Sequence, residues 1–273
     1  VTPQLLRTRE GALWVDLGDD GIWRAQTFVE GRTVARADDP EQVAAAGSLL
    51  GRFHKTLADL DHEFRFARAA VHDTDHHLGR LADVSVQLGD EQPLARRLAR
   101  RILEAGSALR DLPATPARVL HGDPKLNNVR FDDRARRGIC LIDLDTLRRG
   151  PLAHDLGDAW RSWCNRAGEN DQLARFDLTF LEAAARGYAE EAGDMVGPTE
   201  VSSLLVGLER ISLELAARFC TDAFEDSYFG WDRARFRSRR QHNRVRADGQ
   251  LSLHLAVVDA RDAAETVIAE AFH

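Results

Sequence analysis

The amino-acid sequence predicts a mixed α/β (α+β) fold with a mainly helical C-terminal part. Short β-prone runs flank polar turns within residues 13–29 and 128–142, which is typical of antiparallel hairpins. Elsewhere, longer segments carry apolar residues three and four positions apart, which is the period of an amphipathic helix. The 273 residues, of which 44% are hydrophobic, suffice for one large core or two unequal lobes.

The first strands are expected within residues 13–29, as part of a small N-terminal lobe and hinge that spans residues 1–34. Apolar positions alternate on both sides of residues 18–21, Gly-Asp-Asp-Gly. This glycine pair has hairpin-turn chemistry, so we interpret it as a turn rather than as a phosphate-binding loop. Residues 35–273 are expected to form the larger lobe, which carries the candidate site.

The first helix of the larger lobe is expected to begin at residue 39. Asp39, Pro40 and Glu41 supply an N-cap, a proline for the first turn and a first-turn acid. This helix should run to about Leu60. Further helices are predicted by their apolar spacing at about residues 92–110, 171–191, 199–224 and 238–270.

The composition argues against several classes of protein. A net charge of −7 does not suit a nucleic-acid partner. No run of about 18 apolar residues occurs, so no membrane-spanning helix is expected, and the charged N-terminal segment lacks the apolar stretch of a secretion signal. The scattered cysteines, Cys140, Cys164 and Cys220, are expected to be buried reduced thiols of a cytoplasmic protein. The composition does not predict an oligomeric state.

The most informative segment is residues 121–128, HGDPKLNN, which is followed by residues 142–145, IDLD. The β-prone runs between these motifs should pair as a hairpin, and antiparallel pairing would place Asn128 beside Asp143. The loop just before the hairpin would bring Asp123 to the same end.

The residue types in this cluster match the needs of phosphoryl transfer. That reaction requires a carboxylate that orients the attacking hydroxyl, oxygen ligands that hold Mg²⁺ against the phosphates, and a cation that offsets developing charge. Asp123 is the expected base, and Asn128 and Asp143 are the expected metal ligands. Lys125 is the expected cation. His121 is expected to brace the loop, because Asp123 already fills the role of the base.

These motifs resemble the H-x-D-x-x-x-x-N loop and the metal-binding strand end of the aminoglycoside phosphotransferase/choline kinase-like superfamily, which has a protein-kinase-like fold. Residues 150–158, GPLAHDLGD, are similar to that group's G-D-P-x-x-D segment, with Pro151 where the family usually has Asp. Within the group, the closest likeness is to the N-acetylhexosamine 1-kinases. Their D-T-K-x-N-N-V, I-D-L-D-T, W-R-x-x-x-F-I and R-F-L-T-D-Y segments are similar to residues 123–129, 142–146, 23–29 and 218–223, with departures at Pro124, Cys220 and Ala223.

The resemblance implies ATP and Mg²⁺ as cofactors and the anomeric hydroxyl of an N-acetylhexosamine as the phosphate acceptor. Asp155 is then expected to hydrogen-bond the backbone of the catalytic loop. Asp145 is either a second metal contact or the acceptor of a loop hydrogen bond. The hinge backbone is expected to meet adenine at Thr27, Phe28, Val29 and Glu30.

The candidate substrate residues are Arg218 and Asp222, which share one face of a predicted helix. Two interpretations stay open. The pair forms an intrahelical salt bridge, or it binds a sugar, with the carboxylate accepting from hydroxyls and the guanidinium donating to an oxygen. Tyr228, just beyond that helix, would add a stacking or hydroxyl contact.

Two other functions are kept as alternatives. An aminoglycoside- or choline-type phosphotransferase would share these catalytic residues, although its cationic substrate calls for an acidic pocket. Kinases of this group begin with a Gly-rich turn and a strand lysine. The lysines of this chain are Lys55, in a predicted helix, and Lys125, in the catalytic loop, so neither is a strand lysine. The N-terminal lobe is therefore expected to be truncated, and a catalytically impaired binding protein is the second alternative.

Two charged clusters have simpler interpretations. The histidine-rich residues 72–77 show no zinc-type spacing, so a polar loop is expected, and the resemblance places it on the substrate side. The arginines between residues 233 and 246 follow one another at short intervals. They are expected to spread around a helix as a solvated surface.

Overall fold

A computed structural model describes residues 1–65, 70–134 and 136–273 and shows a mixed α+β architecture. The strands of the described residues form four small antiparallel pairs. The helices make up most of the larger lobe. The strand pairs are β1 (Leu5–Leu6) with β4 (Ala25–Gln26), β2 (Val15–Asp16) with β3 (Ile22–Trp23), β5 (Ala117–Leu120) with β8 (Arg148–Pro151), and β6 (Val129–Phe131) with β7 (Gly138–Leu141). The helices are α1 (Pro40–Thr56), α2 (Thr74–Leu88), α3 (Pro93–Gly106), α4 (Leu152–Trp163), α5 (Leu178–Ala192), α6 (Pro198–Glu225), α7 (Arg239–Asp259) and α8 (Arg261–Ala271).

The N-terminal strands form the predicted hairpin, and residues 18–21 are its turn. The Gly21 N–H donates to the Gly18 carbonyl oxygen at 2.9 Å, and β2 pairs with β3 on either side. These strands bury little, since Ile22 is 72% exposed and Trp23 is 61% exposed. The turn interpretation is therefore confirmed.

The helix boundaries follow local caps where the sequence supplies them. The Asp39 carboxylate accepts the Gln42 N–H at 3.0 Å, so α1 begins as predicted, although it ends at Thr56 rather than near Leu60. Helix α5 begins seven residues later than predicted, because the Asp177 carboxylate caps it by accepting the Thr179 N–H at 3.0 Å.

Two other expectations were wrong, and two helices were not predicted. The single helix predicted over residues 238–270 is divided at Ala260, whose backbone leaves helical geometry with φ −94° and ψ 10°. Residues 72–77 are not a loop throughout, because Asp73 caps α2 by accepting the His76 N–H at 3.0 Å. Helices α2 and α4 were not predicted.

Helix α6 is the central element of the larger lobe. It packs against α2, α4 and α7, while α1 packs against α5. One apolar cluster joins α1, α4, α5 and the hairpin β6–β7, and a second joins α2, α3 and the C-terminal half of α6. Helices α4 and α6 approach so closely that a Cβ at Gly157 would lie 2.6 Å from the carbonyl carbon of Gly207.

The cysteines lie within these packed layers. Cys140, Cys164 and Cys220 are free and buried, as predicted. Burial raises the pKa of the Cys164 and Cys220 thiols above the ordinary value. Across the described ranges, the longest helices carry too many polar residues to qualify as membrane spans.

We predict that Gly207→Ala destabilises the fold by about 1–3 kcal/mol. The added Cβ would collide with the Ala153 carbonyl oxygen, and a backbone atom cannot move aside as a side chain can. Gly79→Ala on the exposed face of α2 is the matched control, because nothing lies within 4 Å of its Cβ position. It should be neutral or stabilising by up to about 1 kcal/mol. Urea unfolding of both variants measures the difference, and equal effects would contradict the close approach of α4 and α6.

Candidate active site

The hairpin β6–β7 brings the two halves of the motif together. Val129 pairs with Leu141, and the Ile142 N–H donates to the Asn128 carbonyl oxygen at 2.9 Å. Asn128 therefore lies beside the residue that precedes Asp143, as antiparallel pairing predicted.

The Asn128 side chain links this strand end to the loop before it. Its Nδ2 donates to the backbone carbonyl oxygen of Asp123 at 2.8 Å and to the Asp123 carboxylate at 3.1 Å. The amide NH₂ is thus directed at the expected base, and the Asn128 Oδ1 has no hydrogen-bond partner among the described residues.

Two unusual backbone conformations shape the site. Asp143 is left-handed, with φ 65° and ψ 55°, a region that Asp tolerates better than most residues. Gly122 has φ 82°, and a Cβ there would collide with the Thr146 carbonyl oxygen. The Thr146 hydroxyl donates to the His121 carbonyl oxygen at 2.8 Å. The catalytic loop therefore packs directly on the turn that follows Asp143.

Asp155 on α4 hydrogen-bonds the backbone of the catalytic loop. Its carboxylate accepts the backbone N–H of His121 at 2.6 Å and of Gly122 at 2.8 Å. The His54 Nε2, from α1, lies 3.0 Å away. Burial by itself would raise the pKa of Asp155, but the hydrogen bond and charge of His54, with His121 and the Gly122 N–H, lower it to about 2. The contact with the loop backbone is the one expected from the sequence.

His121 braces both halves of the motif. Its Nε2 lies 3.0 Å from the Ile142 carbonyl oxygen, and since a carbonyl only accepts, this nitrogen carries the proton. Its Nδ1 accepts the Asp123 N–H at 3.3 Å. With both ring nitrogens engaged by backbone groups, the imidazole orients the loop.

The C-terminal end of α4 adds contacts that the sequence analysis missed. The Ser162 hydroxyl accepts the Leu126 N–H at 3.0 Å, and the Trp163 indole N–H donates to the Pro124 carbonyl oxygen at 3.0 Å. A usable signal was present in the sequence. Apolar residues recur with helical spacing at Leu152, Leu156, Ala159, Trp160 and Trp163.

A second missed pair, Asp158 and Arg161, lies beside the expected base. The Asp158 Oδ1 accepts from the Arg161 Nε at 2.9 Å and Nη2 at 2.8 Å, and both side chains are buried. Burial raises the pKa of Asp123, and Asp158 adds to the rise, while Lys125 and Arg161 oppose it.

Lys125 is engaged by the protein itself. Its Nζ forms an ion pair with the Asp123 carboxylate, and its expected role in offsetting charge on the phosphate stays a prediction. Burial alone would lower the pKa of Lys125, but the charge and hydrogen bond of Asp123 raise it. The ion pair is local, since a single residue, Pro124, separates the two partners in a tight loop.

A cavity of about 1000 Å³ opens in front of the catalytic loop. Asp123, Lys125 and Asp143 line it on the loop side. The remaining walls are formed by helices α4, α6 and α7, the segment 165–171, the segment between α6 and α7, and residues 35–36 and 71–72.

The structure separates the three expected substrate residues. Arg218 and Tyr228 line the cavity, but Asp222 does not. Asp222 is 3% exposed and holds the turn after α6, accepting the Tyr228 N–H at 2.7 Å, the Phe229 N–H at 2.9 Å and the Asn243 Nδ2 at 2.7 Å. Neither the salt bridge nor the sugar-binding pair with Arg218 is formed, because these protein donors already surround the carboxylate.

The hinge residues Thr27–Glu30 lie outside the lining of this cavity. The Thr27 N–H donates to the Gln4 carbonyl oxygen at 2.9 Å, and the Val29 carbonyl oxygen accepts from Arg130 at 2.8 Å. The Arg130 guanidinium also lies 4.9 Å from the centre of the Phe28 ring.

Asp145 contacts the N-terminal segment, where it forms an ion pair with Arg24. Both side chains are about half exposed, at 51% and 44%. Of the two interpretations kept for Asp145, the structure shows a loop contact, although the partner is a side chain from β3–β4 rather than a backbone cap.

The arginine-rich segment is only partly a solvated helical surface. Arg233, Arg235 and Arg237 precede α7. Arg235 and Arg246 line the cavity, and Arg246 donates to the Asn170 side-chain oxygen and to the Gly230 carbonyl oxygen, both at 2.8 Å. Arg235 is nevertheless exposed, as expected, with a side chain that is 55% accessible, whereas Arg246 is only partly exposed, so the expectation of a uniformly exposed run was wrong at Arg246.

Solved structures similar to this chain are kinases and phosphotransferases of small molecules. The aminoglycoside phosphotransferase from Alicyclobacillus acidocaldarius is 18% identical, with 97% of this chain and 78% of that chain covered and a TM-score of 0.59. Choline kinase from Cryptosporidium parvum Iowa II is 11% identical, with 100% and 78% covered and a TM-score of 0.59. Amicoumacin kinase in complex with AMP-PNP, Ca²⁺ and Ami is 14% identical, with 92% and 72% covered and a TM-score of 0.56.

At these identities the likeness shows the fold, and the predicted kinase-like α+β class is confirmed. The sequence profile of the Phosphotransferase enzyme family (APH) matches residues 2–193, which is well over half of the chain. With the catalytic loop, the strand end and the bracing helix α4 all inside the matched range, the chain belongs to the Phosphotransferase enzyme family.

Proposed function

We propose that this phosphotransferase transfers the γ-phosphoryl group of ATP, with Mg²⁺, to a hydroxyl group of a small sugar-like molecule in the cytoplasm. The observation that carries the proposal is the meeting of Asp123 and Asp143 at one wall of a cavity of about 1000 Å³, with the buried Asn128 side chain bonded to Asp123 beside that wall. A cavity of this size takes a small molecule together with part of a nucleotide.

The donor atoms at the strand end fit a hard divalent cation. The Asn128 NH₂ group donates to Asp123, so the side-chain carbonyl oxygen of Asn128 remains available to a metal ion. Asp143 is exposed, and within the described ranges its carboxylate has no hydrogen-bond or ion-pair partner. Mg²⁺ takes one or two such oxygens, with the rest from phosphate and water. When bound there, it would neutralise charge on the phosphate oxygens.

Asp123 is the group that would orient and deprotonate the acceptor hydroxyl. Its carboxylate is 28% exposed and lines the cavity, so it can reach a hydroxyl without a change of backbone. Asn128 and Lys125 both bind its Oδ2, which fixes the carboxylate and leaves Oδ1 for the acceptor. Lys125 would move onto a phosphate oxygen only by leaving Asp123.

The nucleotide side of the proposal rests on family membership and on the resemblance. Amicoumacin kinase has been solved with AMP-PNP and Ca²⁺, which supports a nucleotide and a divalent cation for this fold. By analogy, the hinge backbone at Thr27–Glu30 would meet adenine. Within this stretch, the Val29 carbonyl oxygen accepts from Arg130 of β6.

The charges that line the cavity favour a neutral acceptor over a cationic one. Acidic and basic side chains are equal in number among the described lining residues, at six each, so the cavity offers no excess negative charge to a polycation. The acidic members are Asp123, Asp143, Asp158, Glu169, Asp171 and Glu214. The basic members are Arg36, Lys125, Arg161, Arg218, Arg235 and Arg246. This balance supports a sugar, and the resemblance to N-acetylhexosamine 1-kinases names its anomeric hydroxyl as the acceptor.

An aminoglycoside- or choline-type acceptor is the second candidate. The similar fold of choline kinase and of a microcompartment-associated aminopropanol kinase, with a TM-score of 0.58 and 17% identity, favours it. The same Asp123 would serve either acceptor, so turnover with N-acetylhexosamines, amino alcohols and an aminoglycoside distinguishes the two.

We predict that Asp123→Asn lowers kcat about 10²- to 10⁴-fold, because the amide can no longer take the hydroxyl proton. Binding of AMP-PNP should stay nearly unchanged, since the base acts mainly in the transition state. Phosphate transfer from ATP to the preferred acceptor and calorimetry of AMP-PNP measure the two effects. Asp133→Asn, in the exposed turn at the other end of the same hairpin, is the control. A kcat like that of the control would place the base elsewhere.

We predict that Asp143→Ala instead weakens Mg²⁺-dependent nucleotide binding, because it removes the charged metal ligand. AMP-PNP titrations with Mg²⁺ and with EDTA should differ strongly for the parent protein and little for Asp143→Ala. Asp133→Ala is the matched control and should behave like the parent. Full retention of the Mg²⁺ effect in Asp143→Ala would rule out this metal site.

A further inference from the structure

A carboxylate outside the reacting cluster, that of Glu214, is buried in the α6 wall of the main cavity. Its side chain is 2% exposed, and its Oε2 accepts from the Thr74 hydroxyl at 3.1 Å. Its Oε1 lies 3.7 Å from His72 Nδ1 and 3.9 Å from both His77 Nε2 and Arg218 Nη1. These separations are too long for hydrogen bonds, so Oε1 has no hydrogen-bond donor among the described residues.

His72 forms the other side of the same gap. Its side chain is 6% exposed, and its Nε2 lies 3.2 Å from the Gly122 carbonyl oxygen. Because a carbonyl only accepts, Nε2 carries a proton. Nδ1 is buried, lacks a hydrogen-bond partner within the described part of the chain, and belongs to a residue that lines the cavity. Since Gly122 directly precedes Asp123, the gap lies at a fixed position relative to the base.

The chemistry of the gap selects among ligand groups. Buried polar atoms are nearly always paired, so the free Nδ1 and Oε1 call for a group that bonds to both. When the imidazole is protonated, Nδ1 donates and Oε1 accepts, so a hydroxyl satisfies both atoms at once by accepting from His72 and donating to Glu214. An ammonium group only donates, and it would also face the guanidinium of Arg218 beside the same carboxylate oxygen.

We propose that His72 and Glu214 bind a second hydroxyl group of the acceptor, remote from the hydroxyl that is phosphorylated. Arg218, which is 30% exposed beside the Phe229 ring, donates to a neighbouring oxygen of the same ligand. The inference rests on the proposed function and specifies its acceptor as a neutral molecule with at least two hydroxyl groups. This subsite rejects amino alcohols.

The test is direct binding by calorimetry without nucleotide, so that it does not depend on turnover. The ligands are N-acetylglucosamine, N-acetylgalactosamine, glucose and galactose, with choline, ethanolamine and kanamycin as cationic arms. Each monodeoxy derivative of the tightest-binding sugar is then compared with its parent sugar. At least one of the neutral sugars should bind more tightly than every cationic ligand.

The variants are Glu214→Gln and His72→Asn, and both new side chains are polar. Asn also tolerates the left-handed backbone of position 72, where φ is +55°. Each should weaken sugar binding about ten- to a hundredfold. Glu225→Gln on the same helix is the control, because Glu225 only pairs with Arg80 at the surface. The parent protein should bind one monodeoxy sugar about tenfold more weakly than the corresponding unmodified sugar. Glu214→Gln should bind these two sugars almost equally, and misfolding cannot produce such a coupling.

Three results would overturn the subsite: no neutral sugar binds, a cationic ligand binds most tightly, or both variants bind sugar as Glu225→Gln does. The failure of the proposed function is a separate result. Asp123-dependent transfer of phosphate to a cationic acceptor would leave the phosphotransferase standing and remove only this inference. Sugar binding without phosphate transfer under any condition would overturn the proposed function and leave this subsite standing.

Discussion

The buried carboxylate of Asp155 is the contact on which the site depends. It accepts two consecutive backbone N–H groups at the start of the catalytic loop and lies against His54 of α1, so one side chain joins α1, α4 and the loop. Removing it would leave those N–H groups buried and unpaired, at a cost of about 1–3 kcal/mol each. Since its pKa in the fold, about 2, is below the ordinary 3.8, the carboxylate stabilises the protein above about pH 4 and loses this contribution as the pH falls towards 2.

Around this anchor, several groups close to the cavity are strained or lack a hydrogen-bond partner among the described residues. Asn128 keeps a free carbonyl oxygen, Asp143 holds a left-handed backbone, and His72 has a buried nitrogen without a partner. Such strain and incomplete pairing concentrate where a protein binds or reacts. By contrast, Asp158 and Arg161 satisfy each other. The cavity thus combines the buried Asp158–Arg161 ion pair with a small set of atoms available to a metal and an acceptor.

The parts of the site that local rules govern could be predicted from the sequence. Antiparallel pairing fixes Asn128 beside the end of β7, and the turn at residues 18–21 follows from its glycines. Helix α4 was missed although its apolar residues recur with helical spacing, because the polar residues Asp155, Asp158 and Arg161 are buried among them and obscure an amphipathic pattern. Asp222 was misassigned because helical spacing describes only α6, whereas the segment that folds back onto its carboxylate is set by tertiary packing. The meeting of His72 with Glu214, far apart in sequence, has no local signal.

The position of the metal tests this account most directly. Mn²⁺ accepts the same oxygen ligands as Mg²⁺ and can be located by anomalous scattering in crystals grown with AMP-PNP. We expect a peak within coordination distance, roughly 2.0–2.6 Å, of the Asn128 Oδ1 and the Asp143 carboxylate, with the terminal phosphate facing Asp123. A metal bound at another set of residues, or a nucleotide whose phosphates lie away from Asp123, would contradict the assignment of this cavity as the site of phosphoryl transfer.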